Sequence, residues 1–172
     1  LKHYLLIDGY NIINAWSDLK AVSAFSLEEA RNILVQQLIE YKSYTGENVI
    51  LVFDAHLVKG YNHTKHEFVM GLEVVFTKEN QTADSYIEKK VEELTKNRRN
   101  KVKVATSDWA EQQVVLGIGA TRISARELKI ELDMVKKNIR KKTDETNVVR
   151  STLGDRIDDD VAQILEKWRK NQ

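Results

Sequence analysis

The chain has 172 residues, 42% hydrophobic and 31% charged, with a formal net charge of +1. That is enough for one domain with a sizeable core, and the composition excludes a disordered polypeptide. No apolar run approaches the roughly 20 residues of a membrane span, and the absence of cysteine excludes a disulfide scaffold, a thiolate metal site and a cysteine nucleophile.

The chain opens on Leu1, so residues are expected to precede it. Its first stretch lacks the basic, apolar, small-residue order of a secretory signal, and the lack of cysteine suits a reducing cytoplasm. Tyr4-Leu5-Leu6-Ile7 is a short apolar run stopped by Asp8-Gly9, as in a strand buried on both faces. Ser26 and Glu29 have capping-box spacing. Leu27, Ala30, Leu34, Leu38 and Tyr41 then recur at helical intervals until Gly46, a C-terminal stop. Val49 to Phe53 predicts a second strand, ending at Asp54. The segment from His56 to Gly71, with Lys59, Tyr61, His63 and His66, reads as a long mobile loop, and loops of that size are often functional.

Leu72 to Phe76 predicts a third strand. A helix beginning near Thr82 carries the stripe Ala83, Ile87, Val91 and Leu94. Val102 to Ala105 predicts a fourth strand, followed by a short helix from Asp108 to about Gly117. Ala120 to Ile123 suggests a short fifth strand, and Ala125, Leu128, Leu132, Val135 and Ile139 stripe a long helix. A last helix has Asp158 to Asp160 near its start and Lys167, Arg169 and Lys170 near its end, which complements the macrodipole. Apolar strands alternating with amphipathic helices predict an α/β fold with a parallel, helix-covered sheet. No repeat or linker divides the chain. One domain is expected over 1–172, with the C-terminal helices, about 124–171, packed on it or extending from it.

In such a sheet, sites form outside the carboxyl ends of the strands. Asp8, Asp54 and Asp108 follow three predicted strands, and Asp84 opens the helix after another, so all four belong to one edge. Carboxylates gathered there repel, and one must take up a proton unless a cation is present. Oxygen ligands without His or Cys fit Mg²⁺ or Mn²⁺. A carboxylate-held metal suits attack of water on a phosphodiester. Each acid also has a plainer reading: Asp8-Gly9 as a turn, Asp108 with Glu111 as a helix cap, Asp84 as a first-turn acid. Taken together, those readings do not explain why the acids share an edge.

Leu6-Ile7-Asp8-Gly9-Tyr10-Asn11 resembles the opening motif of the NYN branch of the PIN-like ribonucleases. Val52-Phe53-Asp54-Ala55-His56, the segment Phe76 to Asp84 and Val104-Ala105-Thr106-Ser107-Asp108 follow in that family's order. Together with Ser124 to Leu128 and Leu165 to Arg169 they resemble the YacP-like subfamily, characterised as ribosome-associated endoribonucleases that cut mRNA during translation. The resemblance implies a three-layer PIN-like fold, a parallel sheet with helices on both faces. It implies Asp8, Asp84 and Asp108 as the catalytic, metal-holding centre, with Asp54 as a supporting or fourth acid. Asn11 would bond to an acid or a substrate phosphate, and the Thr106 and Ser107 hydroxyls would orient Asp108. No covalent nucleophile is evident, so activated water is the expected attacker.

Basic charge is clustered. Lys96, Arg98, Arg99, Lys101 and Lys103 form one run, and Lys136, Lys137, Arg140, Lys141 and Lys142 another. Such groups neutralise phosphates, giving salt-sensitive affinity for RNA, although charge runs are also common on solvated helix ends. Tyr61 could stack on an exposed base. His63 and His66, three apart, lack a third nearby ligand and suit a polar surface better than a metal. The expected activity is a metal-dependent endoribonuclease on single-stranded RNA, with mRNA as substrate, the ribosome as partner and no protein cofactor. Two other classes compete: an RNA- or ribosome-binding adaptor without catalysis, and a receiver or aspartyl phosphatase. Aspartyl phosphatases place a second Asp two residues after the first, where this chain has Tyr10.

Overall fold

Strands buried on both faces must be apolar on both faces, and the runs Leu5–Ile7 and Val49–Phe53 meet that demand side by side. The computed structural model describes residues 1–54 and 63–154, the side chains at 109–111 and 147–154 excepted. In chain order the elements are β1 (Lys2–Asp8), α1 (Gly9–Ala15), α2 (Ser17–Ser23), α3 (Leu27–Thr45), β2 (Asn48–Phe53), β3 (Lys65–Val69), β4 (Leu72–Phe76), α4 (Ala83–Thr95), β5 (Asn100–Ala105), α5 (Trp109–Gly117), β6 (Thr121–Ile123) and α6 (Ala125–Gly154). The strands form one sheet in the order β3-β4-β2-β1-β5-β6. All pairs are parallel except the β3–β4 hairpin.

Leu5, Leu6 and Ile7 in β1 and Leu51, Val52 and Phe53 in β2 are all fully buried. Successive side chains point to opposite faces. On one face Leu6, Ile50, Val52, Val75, Val102 and Val104 pack with Ala83, Ile87 and Val91 of α4 and Val115 of α5. The other face carries Leu5, Ile7, Leu51 and Phe53 beneath α1 and α3. The family's three-layer α/β arrangement is therefore present, with one antiparallel strand in an otherwise parallel sheet. Helix α3 follows its signals. The Ser26 hydroxyl accepts from the Glu29 N–H at 3.1 Å, and Gly46 closes it in the left-handed region at φ 73°.

Two expectations need correction. The predicted loop from His56 to Gly71 contains β3 and its turn, because Lys65–Val69 pairs with β4 from Val69↔Leu72 to Lys65↔Phe76. Its sequence KHEFV mixes charge with apolar side chains, as suits an edge strand. Asp8-Gly9 has the form of a turn, yet α1 and α2 fill the segment that follows. Asp8 caps α1, and Ile12, Ile13, Trp16 and Leu19 bury its inner side and that of α2. The expected last helix from Asp158, and residues 56–62 of the loop, lie outside the described residues.

The chain divides into two compact units, Leu1–Val135 and Lys136–Gln172. The first holds the sheet, α1 to α5 and the beginning of α6. There Trp16 Nε1 donates to the Ala125 carbonyl at 2.8 Å and the Tyr41 hydroxyl to Glu131 at 2.9 Å. In the second unit the described residues continue α6 to Gly154. Among the described residues no helix is long and apolar enough to cross a membrane.

The β3–β4 turn is a two-residue one in which both Met70 (φ 48°) and Gly71 (φ 82°) have positive φ. Asn-Gly is the preferred pair for such a turn, and Met70 is 80% exposed, so its side chain contributes little burial. Met70→Asn is expected to stabilise the chain by about 0.5–1 kcal/mol. Urea denaturation would show it, and an unchanged or lower midpoint would refute it.

Candidate active site

Helix α1 leaves β1 on one face while the chain after β5 enters α5 on the other. The order of the strands therefore reverses around β1, and a crevice opens at the carboxyl ends of β1 and β5. These neighbours pair from Lys2↔Asn100 to Ile7↔Ala105. Asp8 is the last residue of β1, and Asp108 follows β5 by three residues. Asp54 follows β2, and Asp84 is the second residue of α4, which Thr82 caps by accepting from the Ser85 N–H at 3.2 Å. Parallel strands thus deliver all four acids to one edge.

A set of hydrogen bonds holds the two sides of the crevice. The Asn11 N–H donates to Asp8 Oδ1 at 3.1 Å, so the carboxylate that opens the crevice is also the N-cap of α1. The Asn11 side-chain carbonyl accepts from the Ser107 N–H at 2.7 Å. Asn11 therefore meets Asp8 through its backbone, and its side-chain oxygen turns to the opposite loop instead of an acid. The Thr106 hydroxyl, fully buried, accepts from the Asp108 N–H at 3.0 Å. Ser107 is held through its backbone.

Gln112, 8% exposed, went unnoticed in the sequence. Its amide nitrogen donates to the Thr106 carbonyl at 3.0 Å, and its oxygen accepts from Arg122 at 2.9 Å. A buried amide satisfied at both ends fixes the loop that carries Asp108. Nothing in residue spacing announces a pair of partners ten positions apart on α5 and β6.

The electrostatics are those of crowded carboxylates. Asp8 is pushed up to about 6, chiefly by burial, with the Asn11 N–H pulling the other way and the Asp84 charge, a hydrogen bond with Asp84 and the Asp54 charge raising it. Asp84 is also raised, first by burial, then by the Asp108 charge. Its bond with Asp8 acts in the opposite sense, but both carboxyls end above the usual carboxylate range. Asp8 thus senses Asp84 and Asp54, and Asp84 senses Asp8, Asp54 and Asp108. Among the described residues, however, no three acidic or histidine side chains close on one point as around a bound ion. The tight association is the Asp8–Asp84 pair.

Within the first unit, the predicted basic residues Arg98, Arg99 and Lys101 are not brought to this edge. Arg98 and Arg99 precede β5 and Lys101 lies near its start, so at about 3.3 Å per residue the strand puts roughly 13 Å between Lys101 and its carboxyl end. Lys103 bridges Glu47 at 3.2 Å and Glu131 at 3.6 Å. Lys137, Arg140 and Lys141 lie on α6 within the second unit. Tyr61 lies outside the described residues.

A mostly parallel sheet with carboxylates gathered at its carboxyl edge is the arrangement that the resemblance to PIN-like nucleases implied. The profile of the YacP-like NYN domain matches residues 5–170. The chain belongs to that family. A Bacillus subtilis (strain 168) protein described as "Uncharacterized protein YacP" is 45% identical over 168 residues, covering 96% of each chain. The crystal structure of Rae1 (YacP) from Bacillus subtilis is similar at a TM-score of 0.74 and 45% identity, covering 97% of this chain and 94% of that one. A crystal structure of a tryptophan-to-leucine mutant of the same Bacillus subtilis protein matches at a TM-score of 0.75 and 44% identity, over 85% of this chain and 84% of that one.

Proposed function

We propose that this chain is a metal-dependent endoribonuclease acting on single-stranded RNA, with Asp8, Asp84 and Asp108 as its catalytic centre. Asn11, Thr106, Ser107 and Asp54 support them. One observation carries the reading: Asp8 and Asp84 lie within hydrogen-bond reach of each other at the sheet's carboxyl edge, both raised chiefly by burial, with Asp54 and Asp108 in electrostatic reach. Such a pair is costly, and a fold that merely bound RNA would gain nothing from placing negative charge where phosphates must come. That is the argument against the adaptor reading.

The donor set fits Mg²⁺ or Mn²⁺. It consists of oxygens alone, and Mg²⁺ commonly takes one or two carboxylates and keeps several waters. Asp8 and Asp84 would hold it, with Asp108 across the crevice completing the shell directly or through water. When bound, the ion would polarise a phosphodiester and lower the pKa of water for in-line attack. The residues of this chain do the remainder. Thr106 and Gln112 keep Asp108 in position, and Asn11 keeps the β1 and β5 sides together. Asp54 adds negative charge that favours a cation. The domain is read as a single catalytic unit over the family's span, working in the cytoplasm. The family resemblance extends the reading to mRNA at the translating ribosome.

Asp84→Asn is expected to leave the fold intact and reduce RNA cleavage by on the order of 10³-fold, the scale of losing one preorganised electrostatic group. Undiminished cutting by a purified variant would sink the assignment. Mn²⁺ titration separates the adaptor reading, since a protein without a metal site shows no acid-dependent rise in melting temperature.

A further inference from the structure

Among the described residues, helix α4 lies chiefly over β5, β1 and β2, to one side of the outer strand β3. His66 pairs with Val75 and Phe68 with Glu73, and Val75 belongs to the α4-side core. These side chains of β3 and β4 therefore share the face of α4, beyond its edge. Between them and the helix runs a groove of about 580 Å³, lined by His66, Lys78, Gln81, Tyr86, Lys89 and Lys90 among others. One end of it opens at the carboxyl edge of the sheet, the edge that carries the acids, since Lys78 and Gln81 follow β4 there and Thr64 precedes the antiparallel β3.

The groove has the two features a single strand of nucleic acid requires. The first is cationic charge. Lys78 and Lys89 line it, while the anion of the lining, Glu93, is engaged by Lys90 at 3.0 Å. The second is a rigid aromatic wall. Tyr86 packs on the core, and the His66 ring stands edge-on to it at 6.3 Å between centroids. Glu73 fixes that imidazole at 2.9 Å. The Thr64 hydroxyl contacts Gln81 Oε1 at 3.2 Å, tying the start of β3 to the loop that leads into α4. Lysines for phosphates beside an aromatic face for bases form a stacking platform with an electrostatic funnel.

We propose that this groove holds the RNA strand running to the acidic centre, with phosphates against Lys78 and Lys89 and a base against Tyr86 and His66. The strand's destination rests on the nuclease reading; the binding itself does not. A cationic approach also offsets the repulsion between the phosphates and the four acids.

The test is anisotropy of a fluorescein-labelled, unstructured oligoribonucleotide with the full chain in EDTA across a salt series. Lys78→Gln with Lys89→Gln is expected to weaken binding roughly tenfold at low salt and to flatten the log–log salt slope by about 1.4, the value for two single-strand phosphate contacts. A charge-matched control, Lys2→Gln with Lys20→Gln, is expected to stay within about twofold. Tyr86→Leu should weaken binding about fivefold or more with the slope unchanged, while Tyr86→Phe retains it. The proposal is overturned if the groove double variant matches the control, if the wild-type chain does not bind the RNA, or if an acidic peptide of equal charge displaces RNA as well as RNA does. A chain that binds through this groove but cuts nothing with Mg²⁺ sinks the nuclease reading alone. One that cuts, yet binds without regard to Lys78 and Lys89, sinks the groove alone.

Discussion

Asp8→Asn is expected to abolish RNA cleavage, by on the order of 10³-fold, and at the same time to stabilise the metal-free protein at neutral pH. The stabilisation follows from the direction of the shift. Asp8 is raised from 3.8 to about 6, with burial as the main cause, so the folded state binds its proton more tightly than the unfolded chain does. The stability that Asp8 contributes in its protonated form is fully present below about pH 4. It is lost as pH rises through about 6, by on the order of 2–3 kcal/mol for an isolated group. Asp84 is raised in the same direction and adds to the loss. Asparagine carries no charge to desolvate, and its carbonyl still accepts the Asn11 N–H as an N-cap. Urea denaturation in EDTA at pH 4 and at pH 7.5 checks this. The wild-type chain should be the less stable at the higher pH, and the variant should show much less of that loss. Added Mg²⁺ should restore the wild type and leave the variant unmoved. A variant no more stable than wild type at pH 7.5 in EDTA would contradict the raised Asp8 carboxyl.

Gly9→Ala is expected to be the most damaging small substitution near the site. A Cβ at Gly9 would overlap the Phe53 ring, which is fully buried and sits 5.0 Å from Tyr10 and 5.6 Å from Phe76 between centroids. Overpacking of this kind costs roughly 2–3 kcal/mol, and here the strain falls on the residue next to Asp8. Both stability and cleavage should drop. Phe53→Leu in the Gly9→Ala background removes the clash, so a double-mutant cycle should show a favourable coupling between the two changes. Independent, additive effects would mean that the glycine is not needed for the close approach of α1 to β2.

Much of this fold was legible because parallel strands are buried on both faces, so β1 and β2 appear as apolar runs, and β4 and β5 as apolar stretches interrupted by Glu73 and Lys103. Their ends could be followed to the acids, since chain direction alone puts Asp8, Asp54, Asp84 and Asp108 at one edge. Edge strand β3 was not legible: it pairs on one side, so Lys65 and Glu67 are tolerated and the apolar run is broken. Helix α1 was hidden because Asp8-Gly9 has the form of a turn, although Ile12, Ile13, Trp16 and Leu19 carried a helical spacing. The basic run from Lys96 to Lys103 could be seen, but a charge run does not say which end of a strand it occupies. Arg98, Arg99 and Lys101 stand at the far end of β5 from Asp108. The contacts that steady the site, Gln112 with Thr106 and Arg122, and Asn11 with Ser107, join residues only after the sheet has formed.

The last of these contacts limits what position 11 can be. Its side chain must span from the first turn of α1 to the Ser107 amide, where the oxygen arrives at 2.7 Å. Serine or threonine is too short by one atom, and glutamine would have to fold an extra methylene. Aspartate has the length but would add a fifth negative charge beside four that already repel. Asparagine alone combines that reach with neutrality, so the position is chosen by length and charge together.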